Sequence, residues 1–140
     1  MKTNTVTPQK PLRRLPLVYN LEYSIGSSPR ILYKFLSTPQ GLSQWFADKV
    51  DVRNNIFTFF WNDSSRQAEL LSMKPFEFIR FRWSDDPEGA SFELRIQVDE
   101  LTNDVALMIT DYGFEKSDLT DGKRLWDNLV QTLKHTLGAA

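Results

Sequence analysis

Leu125, Trp126, Leu129, Val130, Leu133 and Leu137 recur with a helical period near the end of the chain. At about 100° per residue they fall within an arc of about 140°, so the spacing predicts a helix over about Leu119–Leu137 with one broad apolar stripe. Gly138 supplies the stop, and Lys134 and His135 suit the negative end of the helix dipole. At ~1.5 Å per residue such a helix is roughly 28 Å long. A stripe of that size has to be covered by something large. The segments before it are mostly β-prone, so the only cover available is the sheet they build.

Those segments read in order. Leu17, Tyr19, Leu21, Tyr23 and Ile25 share one face of a period-two run, a strand that Gly26 ends. Ser28-Pro29 is an N-cap followed by a first-turn proline, and Ile31, Leu32, Phe35 and Leu36 follow at helical spacing. Thr38-Pro39 repeats the start, with Leu42, Trp45 and Phe46 on one face of a second short helix. From Val50 to Tyr112 the chain reads as strands and turns. Phe57–Trp61 is strongly β-prone, Asn62–Ser65 is a turn by composition, and Gln67–Met73 is a strand closed before Pro75. Phe76–Trp83 sets Ile79, Phe81 and Trp83 on one face and Arg80 and Arg82 on the other. Phe92, Leu94, Ile96 and Val98 alternate with polar residues, and Val105, Leu107 and Ile109 alternate again. Successive strands on short loops predict an antiparallel meander, and the whole order predicts an α+β domain with its sheet curved around the last helix.

Composition narrows the chemistry. The 140 residues suit one domain. There is no cysteine, which excludes thiol catalysis, Cys-ligated metals and disulfides. The single histidine, His135, falls opposite the apolar stripe and so faces solvent, which removes conventional catalytic triads. A net charge of −1 argues against a broad nucleic-acid-binding face. No apolar run is long enough for a membrane span, and no Gly-rich phosphate loop occurs. Residues 1–16 carry four bases, three prolines and no acid; they read as a flexible basic arm without the apolar core of a secretory signal, ahead of a domain over 17–140. The expected location is the cytoplasm. Four Trp, four Tyr and ten Phe are ample material to fill or line a core.

Ser28-Pro29…Tyr33…Phe35-Leu36-Ser37-Thr38-Pro39…Leu42-Ser43-Gln44-Trp45-Phe46 resembles the first-helix signature of START-like proteins. More narrowly, it is similar to the branch named for the activator of the ninety-kilodalton heat-shock-protein ATPase. Ile79-Arg80-Phe81-Arg82-Trp83 resembles the central strand of that branch, and Asp111-Tyr112-Gly113-Phe114 the end of its last strand. The resemblance covers about residues 17–138. It implies the helix-grip fold, a curved antiparallel sheet of about seven strands around a long C-terminal helix, with two short helices after strand one. It also implies a binding role, since members hold lipids, polyketides, hormones or chaperone clients, and a few are cyclases or hydrolases. Two departures stand out. Asp111 occupies a position where the branch often has histidine, and a 16-residue arm does not replace the separate ATPase-stimulating domain of the co-chaperone.

Asp111 is in phase with Val105, Leu107 and Ile109, so its carboxylate points toward the concave face, where burial is costly unless it is hydrogen-bonded, paired or wetted. Hairpins closed over 84–91 and 99–104 pair Trp83 with Phe92 and Phe92 with Asp111. The acid then either orients a ligand or caps a strand end in water. Tyr19 and Tyr23 share the apolar face of the first strand, as cavity donors or as core with hydroxyls at the rim. Trp45, Trp61, Trp83 and Trp126 are candidates for an aromatic wall. The same pairing sets Glu93 opposite Arg82, with Arg80, Arg95 and Asp99 on the solvated face, which reads as cross-strand charge pairing rather than a phosphate site. Acids in the 84–91 loop lack calcium-loop spacing, and the loop reads as a turn over the cavity mouth.

The expected function is a non-catalytic carrier or sensor of a small apolar or aromatic molecule, without metal or cofactor, in a stress-response setting. Ligand contacts are expected from Tyr19, Tyr23, Trp45, Trp61, Phe81, Trp83, Phe92, Asp111 and Trp126. Two alternatives stay open. One is an enzyme of cyclase or hydrolase type using Asp111 and a tyrosine, and the other is a co-chaperone-like module with a protein partner such as a chaperone.

Overall fold

A computed structural model describes residues 15–86 and 90–138. The basic arm up to residue 14, and residues 87–89 of the expected mouth loop, lie outside the described residues. The elements run β1 (Leu17–Ile25), α1 (Pro29–Ser37), α2 (Pro39–Leu42), β2 (Lys49–Arg53), β3 (Ile56–Trp61), β4 (Ser64–Lys74), β5 (Phe78–Trp83), β6 (Phe92–Val98), β7 (Val105–Gly113) and α3 (Lys116–Thr136). All strands pair antiparallel in one seven-stranded sheet ordered β1-β7-β6-β5-β4-β3-β2. With α3 laid along its inner face, this is the expected helix-grip architecture.

Local chemistry sets the helical corner. Ser28 Oγ accepts the Ile31 amide at 3.2 Å, and Pro29 opens α1. Thr38 joins the two helices: its Oγ1 donates to the Lys34 carbonyl at 2.7 Å and accepts the Gly41 amide at 2.9 Å. Gly41 lies so close to the backbone of Lys34 and Phe35 that a Cβ there would collide with it. This tight bend drives Trp45 and Phe46 inward, to 4% and 5% exposure, and the Trp45 indole donates to the Phe35 carbonyl at 2.8 Å.

The turns fix the register. Asn54 and Asn55 both take positive φ (47° and 69°), as a two-residue hairpin turn of the primed type requires, and Arg53 pairs with Ile56 around them. Trp61 pairs with Ser64, so the β3–β4 turn is only Asn62-Asp63, and β4 starts earlier than its composition suggests. The β6–β7 register is the expected one, with Glu93 opposite Thr110 and Val98 opposite Val105. The β5–β6 register differs by two residues. Phe81, not Trp83, faces Phe92, and Arg80, not Arg82, faces Glu93. Among the described residues Arg82 and Trp83 run past the end of the β5–β6 ladder and pair with Glu69 and Ala68 on β4, which moves the hairpin centre one residue along the chain. A shift of two preserves which face each side chain occupies.

The core lies between the sheet and the helices. Phe59, Phe81, Phe92, Ile79, Leu94, Leu107 and Ile109 are fully buried from the sheet side, and Trp126, Val130 and Leu133 are buried from α3. Each such side chain contributes about 2 kcal/mol on burial. The stripe is not covered across its whole width: Leu125, at one edge, stays 58% exposed. On the outer face, Glu93 joins Arg80 (2.7 Å) and Arg95 (2.9 Å), and Arg82 reaches Glu69 (3.2 Å). The expected charge pairing is present, with Glu93 serving two arginines.

Candidate ligand cleft

One end of the sheet, where β3, β5 and β7 finish and β4 and β6 begin, is not closed by α3. A cleft of about 380 Å³ opens there. Trp61, Trp83, Trp126 and Phe46 give it aromatic walls, Leu125 and Leu129 an aliphatic one, and Arg66 and Asp111 its polar groups. The aromatic rings are held from behind. Trp83 stacks on Phe92 (centroids 5.0 Å apart), Phe92 on Phe81 (5.3 Å), and Phe46 on Trp126 (5.8 Å). The Trp61 indole donates to the Phe46 carbonyl at 2.9 Å, which fixes its ring plane. Aromatic side chains therefore do two jobs here: Phe59, Phe81 and Phe92 fill the interior, while three tryptophans line its open end.

Arg66 reaches the cleft because the early start of β4 puts it in phase with Ala68, opposite Phe59 on the inner face. Its guanidinium lies 4.0 Å over the Trp83 ring and makes two bonds of 2.9 Å to Asp85. A second depression of about 300 Å³ shares Arg66, Trp83 and Asp111 and continues past Asp86, Tyr112, Asp118 and Asp121. At its rim the Tyr112 hydroxyl donates to Asp86 at 2.6 Å.

Asp111 is the polar centre of this end. Its Oδ2 accepts the Trp126 indole N–H at 2.8 Å and the Tyr19 hydroxyl at 3.3 Å, and its Oδ1 accepts the Tyr112 amide at 2.8 Å. Burial pushes its pKa above the usual carboxylate range; these three hydrogen bonds and the nearby Arg66 charge oppose that shift without cancelling it. Burial, reinforced by the Asp111 charge, also raises the Tyr19 hydroxyl, so it stays protonated and donates. The Tyr19 hydroxyl fits under α3 only because residue 122 is glycine; a Cβ there would collide with it.

Among the described residues, no group of histidine, cysteine or carboxylate side chains is arranged to hold a metal ion. No helix among them is long and apolar enough to cross a membrane.

The family model for the START-like superfamily domain matches residues 16–139. The chain belongs to the START-like superfamily. This START-like domain is similar to the solution structure of BfR322 from Bacteroides fragilis, at 39% identity and a TM-score of 0.63 over 87% of this chain and 91% of that one. It shares its fold with the Aha1 dimer from Colwellia psychrerythraea (19% identity, TM-score 0.72, covering 84% of this chain and 93% of that one). It also shares its fold with DynU16, a putative protein in the dynemicin biosynthetic locus (17% identity, TM-score 0.70, covering 86% and 47%). No curated protein matches the chain.

The nine positions singled out from the sequence divide by where the START-like fold puts them. Trp61, Trp83, Asp111 and Trp126 line the cleft. Phe81 and Phe92 lie directly behind it, each 1% exposed. Trp45 is buried, with its ring 6.5 Å from that of Trp126. Tyr19 supports Asp111 from β1. Tyr23, also on β1, reaches α3 away from the cleft, donating to Asp127 at 2.7 Å, where Lys123 also pairs with that carboxylate. Arg66, Phe46, Leu125 and Leu129 also line the cleft and were not among the expected ligand contacts. The signal for Arg66 was its even spacing from Ala68, masked by ending the turn at Ser65. The signal for Leu125 and Leu129 was their place on the edge of the stripe. His135 is exposed, as its helical phase predicts.

Proposed function

We propose that this START-like domain binds a small apolar or aromatic molecule in the cleft and acts as a non-catalytic carrier or sensor. The observation that carries this reading is an open cleft of about 380 Å³ walled by three tryptophans, at one end of the core. Clefts of this size, mostly apolar with a few placed polar groups, are typical of small-molecule sites. Leu125 adds support: a leucine 58% exposed on a helix that grips the sheet makes sense if a ligand covers it.

The arrangement of Asp111 favours binding over acid–base chemistry. The tyrosine nearest to it spends its proton on the carboxylate rather than pointing into the cleft, and burial holds that proton firmly. A general acid and base that serve each other are not poised on a substrate. The cleft is also the reason to prefer a small-molecule role over a chaperone partnership.

Native mass spectrometry of the protein purified from its own host tests the reading. A co-purifying molecule of defined mass, displaced when Trp83 is changed to Ala, supports carriage. Ligand-free protein that captures a chaperone would count against it.

A further inference from the structure

We infer that the ligand of the cleft is an organic cation: a flat aromatic or apolar body carrying a protonated nitrogen that lies against Asp111. This rests on the reading of the cleft as a ligand site and adds the ligand's charge.

Three observations point the same way. The first is the walls. The faces of Trp61 and Trp126 carry the negative side of the ring quadrupole, which attracts a cation and repels an anion. Trp83 already uses this, since the Arg66 guanidinium rests on it at 4.0 Å.

The second is the state of Asp111. All three of its donors are neutral: an indole N–H, a hydroxyl and a backbone amide. Among the described residues it takes part in no ion pair. Its Oδ1 accepts one hydrogen bond, so it retains capacity for another. A neutral ligand seated over this carboxylate would strip its remaining water and return no charge, which is unfavourable. A protonated amine supplies both the missing donor and the missing charge.

The third is the balance of fixed charge at the mouth. Arg66 is the one base among the described residues lining the cleft and the adjoining depression, and both its bonding nitrogens are engaged by Asp85. Asp86 and Asp121 stand on the same approach. An anionic ligand would meet carboxylates with no uncommitted cation to receive it.

A matched naphthalene series tests the charge on the full chain near pH 7: 1-naphthylmethylamine, 1-naphthylmethanol and 1-naphthoate, followed by isothermal calorimetry and by the methyl resonances of Leu125 and Leu129. The amine is expected to bind about tenfold tighter than the alcohol, with the carboxylate weakest, and the Leu125 and Leu129 methyls are expected to shift. Its affinity is expected to fall as salt rises from about 0.05 to about 0.5 M, while that of the alcohol holds. Asp111→Asn is expected to erase the amine's margin over the alcohol. Should that variant unfold, the series and its salt dependence on the unaltered protein still decide the matter. Alcohol or carboxylate binding as tightly as the amine overturns the cation while leaving the cleft a ligand site. Failure of all three to bind or to move the Leu125 and Leu129 methyls overturns both.

Discussion

The Trp126 indole nitrogen lies 2.8 Å from Oδ2 of Asp111, tying the middle of α3 to the end of β7 at the floor of the cleft. The bond runs between a buried ring and a carboxylate short of solvent, so it orders both. Trp126→Phe keeps most of the packing and removes the donor. We expect a loss of about 1.5–3 kcal/mol, the usual range for a hydrogen bond to a charged group, with the Asp111 pKa pushed further up. Urea denaturation and a carboxyl-carbon NMR titration would measure the two effects. A pKa that does not move would show that the indole bond does not govern the carboxylate.

Gly122 offers a test in which local and tertiary preferences conflict. In an exposed helix, Gly→Ala stabilises by about 1 kcal/mol. Here the added methyl meets the Tyr19 hydroxyl, so Gly122→Ala is expected to lower the melting temperature and to disturb the Tyr19–Asp111 bond. Removing the hydroxyl with Tyr19→Phe in the same chain should recover part of the loss. A rise in melting temperature for the single variant would mean that α3 lies further from β1 than described.

Glu93 and Asp111 should pull stability in opposite directions with pH. Burial opposes ionisation of Glu93, but the hydrogen bonds from Arg95 and Arg80 outweigh it and hold its pKa below the ordinary 4.5. Its contribution is therefore present above that value and is lost as pH falls through the lowered one. The Asp111 pKa is raised above the ordinary 3.8. The native state holds its proton more tightly, so its contribution is present below 3.8 and is lost as pH rises through the raised value. Glu93→Gln is expected to cost about 1 kcal/mol near pH 7 and less at a pH well below 4.5, read from urea melts at both. An equal cost at both pH values would remove the ion pairs as the cause.

Leu125 separates stability from binding. It is 58% exposed and lines the cleft. Leu125→Ser should change stability by less than about 0.5 kcal/mol, as surface substitutions do. It should nevertheless weaken 1-naphthylmethylamine severalfold by calorimetry. An unchanged affinity would take α3 out of the ligand wall.

The faces of the strands were legible because alternation alone sets them. Phe92, Leu94 and Ile96, and Leu107 and Ile109, are buried on the side their spacing demands. The β6–β7 register was legible too, because Thr102 and Asn103 sit in a short turn that leaves little choice. The β5–β6 register was not. A long loop allows more than one closure, and the choice falls to contacts across the pair, Phe81 on Phe92 inside and Arg80 on Glu93 outside. The cleft was legible in half its wall. Trp61, Trp83, Asp111 and Trp126 announce themselves by type and phase, whereas Arg66 was hidden by a turn that composition made two residues too long.

Most of the elements, their faces and the family are written in local sequence, since period, caps and turn residues act over a few neighbours. The sequence also marked Asp111 as a carboxylate on an apolar face. Which aromatics fill the interior and which line the cleft is settled by packing between elements. That choice depends on how far α3 lies along the sheet, and the approach of two elements is fixed by contacts far apart in the chain: Tyr19 under Gly122, and Trp126 on Asp111.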